Sequence, residues 1–424
     1  MSQEQQQIFP YLQRLLNGAH VEWKPLDQVF EIRNGYTPSK KETTYWEGGT
    51  IPWYRMEDIR ANGRVLSDSI QHITPAGVKG KGLFKANSII MATTATIGEH
   101  ALIIADSLAN QQFTNFAIRE SLKKDINHWF AFYYFFKICE WCKSNVYESS
   151  FPSVDMKKLK KLPFPIPPME VQERIVEILD KFTELQAELQ AELALREKQY
   201  IYFRDQLLSF EMLNRGGYSL NDIKYLPLGE VASYVRGITY SKRDEVERGG
   251  LKVLRANNIT LENNRLNFDE IKEVNTNVKV RENQQLNKGD ILICAGSGSK
   301  EHIGKVAYIE EKLPYTFGGF MGVVRVKSNS IIPRYIFYCL TSSLFSSYLQ
   351  TSIKSSTINN LNSSIMNAFN IPIPPMEEQE RIVGILDRFE TMVHSIKEGL
   401  PREIELRRKQ YEYFRDQLLT FPKG

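Results

Sequence analysis

Long apolar runs are missing from this chain of 424 residues. No stretch approaches the roughly 18 consecutive apolar residues that a membrane-spanning helix needs. The opening MSQEQQQ has neither the basic start nor the apolar run of a secretory signal. Both absences lead to the expectation of a soluble, cytoplasmic protein with no membrane partner. Cysteine is scarce, at four residues, too few for a disulfide scaffold in a chain of this length. Cys139 and Cys142 form one CxxC, in ICEWC, but no second Cys or His pair lies at zinc-ligand spacing. Packing on an aromatic helix is the expected role, and no metal is assigned. The six histidines are scattered, with no nucleophile nearby.

Catalytic signatures are missing as well. GSGSKEHIGK, from Gly296 to Lys305, looks like a phosphate-binding loop, but Gly298 and Gly304 enclose five residues rather than four. Val306 stands where Ser or Thr would hold magnesium, so a turn after a strand is the better reading. IPPM, present twice, lacks the acidic or amide residue of the Asp/Asn-Pro-Pro-aromatic motif of amino-methyltransferases. No G-x-G-x-x-G follows a predicted strand. No catalytic residue is assigned and no cofactor is expected on the chain itself.

Charge of one sign is almost balanced overall, 54 Lys and Arg against 50 Asp and Glu, but not locally. Residues 20–160 carry 18 basic against 15 acidic side chains and residues 221–369 carry 19 against 14, together +8. The remainder carries 17 against 21. Two blocks facing a polyanion, separated by segments that face something else, would produce this division.

What the chain has in abundance is itself. FPIPPMEVQERIVEILDKF (Phe164 to Phe182) recurs as IPIPPMEEQERIVGILDRF (Ile371 to Phe389), and KQYIYFRDQLLSF (Lys198 to Phe210) recurs as KQYEYFRDQLLTF (Lys409 to Phe421). Each copy reads as a long helix. Ile175, Ile178, Phe182, Leu185, Leu189, Leu193, Tyr200, Phe203 and Leu207 form one narrow apolar stripe. Ile382, Ile385, Phe389, Met392, Ile396, Leu400, Ile404, Tyr411, Phe414 and Leu418 form the other. Two like stripes in one chain are most simply satisfied by packing on each other, antiparallel, which relates the halves by a pseudo-twofold axis; a parallel pair is the alternative. The Pro pairs at 167–168 and 374–375 set the helix starts, and Gly399 with Pro401 should break the second helix. IFPYLQRLLNG (Ile8 to Gly18) echoes IYFRDQLLSF and is a candidate cap for the far helix end.

The blocks before the helices echo one another more faintly. PLDQVFEIRNGYT resembles PLGEVASYVRGIT, and TIPWYRMEDI resembles LKVLRANNI, each after a Gly-Gly pair. Short β-rich runs between turns predict mixed α/β domains, each closed by an aromatic helix, HWFAFYYFFKICEWC and RYIFYCLTSSLFSSYL. Apparent loops at matching places hold donors suited to nucleic acid: Arg33, Tyr36, Thr37, Lys40, Lys41, Arg55, Arg60, Thr93, Thr94 and Thr96 in the first half. The second half has Arg236, Thr239, Tyr240, Lys242, Arg243, Arg255, Asn257, Asn258, Ser297, Ser299 and Lys300. Arg and Asn suit base edges, Lys and hydroxyls suit phosphates. On the helices, Glu170, Gln172, Glu173 and Arg174 recur as Glu377, Gln379, Glu380 and Arg381 outside the apolar seam, and are candidates for docking a partner.

The doubled Pro-Pro-x-Glu-x-Gln-Glu-Arg-Ile helix, with a recognition-type block before each copy, resembles the specificity subunits of type I restriction-modification systems over the whole chain. The resemblance implies a mixed α/β fold: two target recognition domains separated by two long helices, kept in the family, that form an antiparallel coiled coil. The corresponding boundaries are 1–160 and 216–368 for the recognition domains, 161–215 for the central helix and 369–424 for the C-terminal helix. It further implies a non-catalytic subunit, cytoplasmic in a prokaryote, each domain reading one half of a bipartite double-stranded DNA site. The helices would set the spacer and dock two modification subunits. These would bring S-adenosylmethionine and methylate adenine, and restriction subunits would add ATP- and magnesium-dependent translocation and cleavage. The alternatives are a coiled-coil scaffold that binds no DNA, or a specificity subunit for a system whose modification and cleavage activities share one polypeptide.

Overall fold

The structure, a computed structural model, describes residues 9–147, 152–209, 223–260, 263–297, 302–354, 360–395 and 399–422. Its main helices are α1 (Pro10–Leu16), α2 (His128–Ser144), α3 (Met169–Leu207), α4 (Pro333–Thr341), α5 (Ser343–Lys354), α6 (Met376–His394) and α7 (Gly399–Leu418). The chain divides into two compact units, 1–188 with 405–424, and 189–404.

In unit 1 the main sheet runs in the order Phe30–Asn34, Phe113–Ile118, Ser88–Ala92, His100–Ile103, Val65–Leu66, antiparallel except for the last pair. A smaller sheet pairs Ile51–Tyr54 with His72–Ile73 and, in parallel, with Leu108–Ala109. Every residue of Ser88–Ala92 is buried, as expected of a central strand covered on both faces. Helix α2 lies in the core and packs by ring edges: Phe135 meets Phe30 at 5.5 Å and Phe116 at 5.0 Å. Unit 2 repeats the main sheet with four antiparallel strands in the order Ala232–Arg236, Met321–Val326, Ile291–Cys294, Val306–Tyr308. It also repeats the smaller sheet, where Leu251–Leu254 pairs in parallel with Thr316–Phe317.

A two-stranded ribbon leads into each long helix. Glu22–Pro25 pairs with Pro163–Ile166, and Lys224–Pro227 pairs with Asn370–Ile373, in the same antiparallel register. The Pro pair follows at once and the helix begins at Met169 or Met376. Helices run antiparallel: in unit 2 Phe203 meets Phe389 and Tyr200 meets His394. In unit 1 Phe182 stacks on Phe414 at 5.5 Å. The back half of each repeated motif therefore completes the unit whose front half comes from the other copy. α1 packs into the core of unit 1 through Leu12 and Leu16, beside Leu418 and Phe421, with Phe9 against Phe414, as the capping reading expects.

The second long helix is interrupted between His394 and Gly399. Gly399 has φ +78°, and a Cβ there would sit 2.6 Å from the Met392 carbonyl oxygen, so only glycine fits the turn. The expected single helix over 334–349 is instead two, α4 and α5. Ser342 is extended and donates its hydroxyl to the Cys339 carbonyl, while Asp205 accepts the Ser343 amide hydrogen. This caps a new helix in place of continuing the old one. Cys139 and Cys142 are buried in α2, which is the packing role expected of them.

Two of the motif's repeated polar positions, Gln172/Gln379 and Asp180/Asp387, are structural. Gln172 is fully buried; its carbonyl accepts from the Asn127 amide at 2.9 Å, and its NH2 donates to Asp125 and Pro167 carbonyls at 2.7 and 2.8 Å. Gln379 does the same with the Ile332 amide and the Ser330 and Pro374 carbonyls. Asp180 and Asp387 each accept from the tyrosine of the aromatic helix, Tyr133 and Tyr338, at 2.5 Å. Gln172 and Gln379 therefore do not serve as docking residues: burial and three internal bonds leave nothing to offer a partner.

Two predictions follow from buried polar groups. Gln172→Ala orphans a buried amide and two carbonyls and should lower stability by about 2–4 kcal/mol in chemical denaturation, whereas Glu173→Ala, at an exposed neighbour, should stay within about 0.5 kcal/mol. His100 is buried against Phe132 and Phe136. Burial first, then the nearby Arg64, push its pKa down to about 3. A depressed imidazole contributes stability that is present above the unfolded value near 6.5 and lost as pH falls. From pH 6.5 to 5 this group should cost roughly 1.5 kcal/mol; His100→Gln should remove that component of the slope, and an unchanged slope would refute the assignment.

Candidate nucleic-acid interface

Each unit builds one loop frame from the same parts. In unit 1 the strand Ile51–Tyr54 delivers Arg55 to the N-cap of the short helix Met56–Asn62. The Arg55 amide donates to Asp58 at 2.6 Å and the Asp58 amide donates back to the Arg55 carbonyl. Asp58 is fully buried and also accepts from the Ile70 amide. In unit 2 the strand Leu251–Leu254 delivers Arg255, whose amide donates to Asn258 at 2.9 Å. The Asn258 amide reaches the Asn267 and Glu270 carbonyls. Both arginines carry a buried Nε without a hydrogen-bond partner, and that of Arg55 lies 3.9 Å from a Glu57 carboxylate oxygen. A guanidinium whose backbone is fixed in this way can turn its Nη donors to a ligand.

Several candidates belong to the frame. Arg33 donates to the Gly82 and Leu83 carbonyls and lies over the Phe84 ring at 5.2 Å. Arg236, one position further along the equivalent strand of unit 2, donates to Asn360 and to the Leu361 carbonyl. Tyr36 donates to the Gly77 carbonyl and accepts from the Lys79 amide; Thr37 bonds Gln111. Thr93 is buried against Thr114, and Thr94 bridges Ser153. Asn258 is fully buried with its amide donated inward, so Thr93 and Asn258 are placed as supports and not as contact residues. Sequence spacing could not separate these, because a loop residue that holds a neighbouring loop and one that faces outward have the same local pattern.

The remaining candidates are surface residues. Lys40, Lys41 and Arg60 are exposed in unit 1 and Thr96 is half-buried. In unit 2, Thr239, Tyr240, Lys242, Arg255, Asn257 and Ser297 come together around one cleft of about 680 Å³. Arg243 is exposed beside Lys242 on a turn that Ser241 and Asp244 cap. Ser299 and Lys300 lie outside the described residues. The cleft also has Phe320 on its rim, which the sequence reading missed; its only signal was an aromatic residue directly after Gly318-Gly319. The cleft holds a guanidinium, an ammonium, an amide and hydroxyls beside one carboxylate, Glu245, and its donors suit phosphates and base edges. Among the described residues no three His, Cys, Asp or Glu side chains group as metal ligands.

On the helices Glu170, Glu173 and Arg174 are exposed in unit 1, as are Glu377, Glu380 and Arg381 in unit 2. Arg174 pairs with Glu177, and Arg381 pairs bidentately with the buried Glu378 at 2.6 and 2.7 Å. Tyr202 and Tyr413, equivalent in the repeat, point outward at 59 and 56% exposure. The apolar seam excluded them from the start, and no signal marked them as a surface feature.

Comparison with known proteins places this geometry. The family described as type I restriction modification DNA specificity domain matches twice, at residues 18–195 and 221–406. The chain is 31% identical over 435 residues to the type I restriction enzyme EcoR124I/EcoR124II specificity subunit of Escherichia coli, covering 97% of both chains. It is 47% identical over 249 residues to the EcoprrI specificity subunit of Escherichia coli, a match that spans 56% of this chain and 61% of that subunit. Among solved structures, one from a study of complex assembly in a type I restriction-modification system superposes with a TM-score of 0.65 at 18% identity, covering 95% of this chain and 98% of that one. The HsdS subunit from Thermoanaerobacter tengcongensis superposes with a TM-score of 0.52 at 17% identity over 99% of each chain.

Adjacent asparagines in unit 2 should separate frame from surface. Asn258→Ala orphans the Arg255 amide and two carbonyls and should cost about 2–3 kcal/mol of stability. Asn257→Ala, at an exposed side chain lining the cleft, should leave stability within about 0.5 kcal/mol and weaken duplex DNA binding. Equal stability losses would contradict the division.

Proposed function

Because the chain belongs to the type I restriction-modification DNA specificity family, we propose that it selects the DNA sequence on which a modification and cleavage complex acts. Each unit reads one half of a bipartite double-stranded site, and the two long helices fix the spacing between readers. The observation that carries this reading is the doubled frame: an arginine stands at the same N-cap in both units, its amide held by Asp58 in one and by Asn258 in the other, while the residues around it differ. One scaffold built twice with different presented side chains is what two independent half-sites require.

The chain contributes recognition, and the chemistry belongs to partners. Two modification subunits would dock on the helices, at the exposed Glu170, Glu173 and Arg174 and at Glu377, Glu380 and Arg381, with Tyr202 and Tyr413 as the aromatic part of the two like surfaces. Those subunits would bind S-adenosylmethionine and methylate adenine, and restriction subunits joined through the complex would use ATP and magnesium. Acting on chromosomal and incoming DNA, the protein would work in a prokaryotic cytoplasm. Among the described residues no helix is long and apolar enough to cross a membrane.

Lys40, Lys41, Lys242 and Arg243 are suited to phosphates, so that binding should fall steeply as salt rises. The test is a genome-wide map of methylated adenines in cells with and without the gene. Loss of methylation at one bipartite sequence is expected, and an unchanged map would overturn the proposal. The same map tests the ruler. ELQAELQAEL, Glu184 to Leu193, lies in α3, which is continuous for 39 residues. Inserting one more Gln-Ala-Glu-Leu adds a turn, roughly 6 Å of helix, against about 3.4 Å per base pair. The half-sites should stay the same while the spacer grows by about one to two base pairs; full activity at the original spacing would show that the helices do not set the distance.

A further inference from the structure

Phe320 is 69% exposed, more than any other large apolar side chain among the described residues. It is nevertheless held firmly. The Ala295 and Gly296 amides both donate to its carbonyl, at 2.8 and 3.0 Å, and the Met321 amide closes the turn onto Gly318. Gly296 is pressed against the ring: a Cβ there would sit 3.0 Å from Phe320 Cδ1. A rigid backbone thus presents an apolar ring at the rim of the cleft that holds Lys242, Arg255 and Asn257. Isolated exposed apolar residues are common, but here the backbone that carries the ring is fixed and the cleft beside it holds Lys242 and Arg255 along with Glu245.

The register identifies its counterpart. Cys294 pairs with Met321 in unit 2 as Ala92 pairs with Phe113 in unit 1. The next bond outward, Ala295 amide to Phe320 carbonyl, is matched by Thr93 amide to Gln112 carbonyl at 2.9 Å. Phe320 and Gln112 therefore occupy one position in two copies of the same frame. In the major groove the apolar group on a base edge is the thymine 5-methyl, and a glutamine amide matches the adenine edge. The position offers an exposed ring in unit 2 and, in unit 1, a half-buried amide whose Oε1 accepts from the Asn110 side chain at 3.2 Å.

We propose that Phe320 determines specificity in unit 2 by packing on a thymine 5-methyl group in the half-site that this unit reads. The inference rests on the DNA-reading function proposed above. The test uses the full chain assembled with its modification subunits and the mapped target duplex, each thymine replaced in turn by deoxyuridine, which lacks the methyl. At one position of the unit 2 half-site the replacement should weaken binding about fourfold, the worth of one buried methyl. Phe320→Ala should show that loss already and no longer respond to deoxyuridine, with unchanged melting temperature and unchanged responses in the other half-site. Phe320→Gln should shift preference at the same position toward adenine.

A unit 2 half-site without thymine, a half-site indifferent to deoxyuridine, or a Phe320→Ala variant that keeps its deoxyuridine response would each overturn the proposal. So would an equal loss on thymine and deoxyuridine duplexes with brightening of an adjacent 2-aminopurine, which would assign the ring as a wedge between bases. Loss of all sequence preference in the unmodified complex would instead remove the DNA-reading premise, so the two failures are distinguishable.

Discussion

Two buried glutamine amides hold the architecture together. Gln172 and Gln379 each close three hydrogen bonds to backbone groups, two in the loop entering the aromatic helix and one in the Pro-Pro entry of their own helix. Replacing the side chain strands all three partners at once, and a stranded buried group costs about 1–3 kcal/mol. The ribbon, the Pro pair, the long helix and the aromatic helix therefore behave as one body. The Tyr133–Asp180 and Tyr338–Asp387 bonds fasten the same helix pair further along. This internal requirement is why the motif repeats its polar residues as well as its apolar ones.

A helix with one apolar stripe cannot satisfy that stripe alone. Residues 405–418 of α7 supply the partner in unit 1, and residues 189–207 of α3 pair with α6 in unit 2. Arg415 and Arg204, equivalent in the repeat, are both buried beside their own following aspartates. Arg415 also covers the Phe136 ring at 4.4 Å. The back half of the motif is thus a second set of packing constraints, separate from the front half and imposed by the other copy's domain.

Within each unit, fixed supports surround a variable surface. Arg33 and Arg236, one strand position apart in the frame, hold loops, and Asp58 and Asn258 hold the arginine cap, the same work in different chemistry. Where the frame turns outward the identities part, as with Gln112 and Phe320. A reader of this kind changes its target by changing presented side chains, because the supports carry the stability and the presented groups carry little of it. The buried Nε atoms of Arg55 and Arg255 are among the few buried polar atoms of the described residues without a hydrogen-bond partner, as are Ser107 Oγ and His302 Nδ1.

The sequence by itself determined the internal repeat, the long helices with their seam, the break at Gly399, the mixed α/β character of the blocks between them and the family resemblance. Those features are written in periodicity and in glycine and proline, which act locally. Only the tertiary structure decided which polar residues face inward. Gln172 and Glu173 are neighbours on one helix, as Asn257 and Asn258 are in one loop, and no local rule tells the buried member from the exposed one. That distinction depends on partners 45 residues away for Gln172 and 9 and 12 away for Asn258, brought close by strand and helix packing. The split of α4 from α5 has the same origin, since the carboxylate that caps the second helix comes from Asp205, 138 residues earlier.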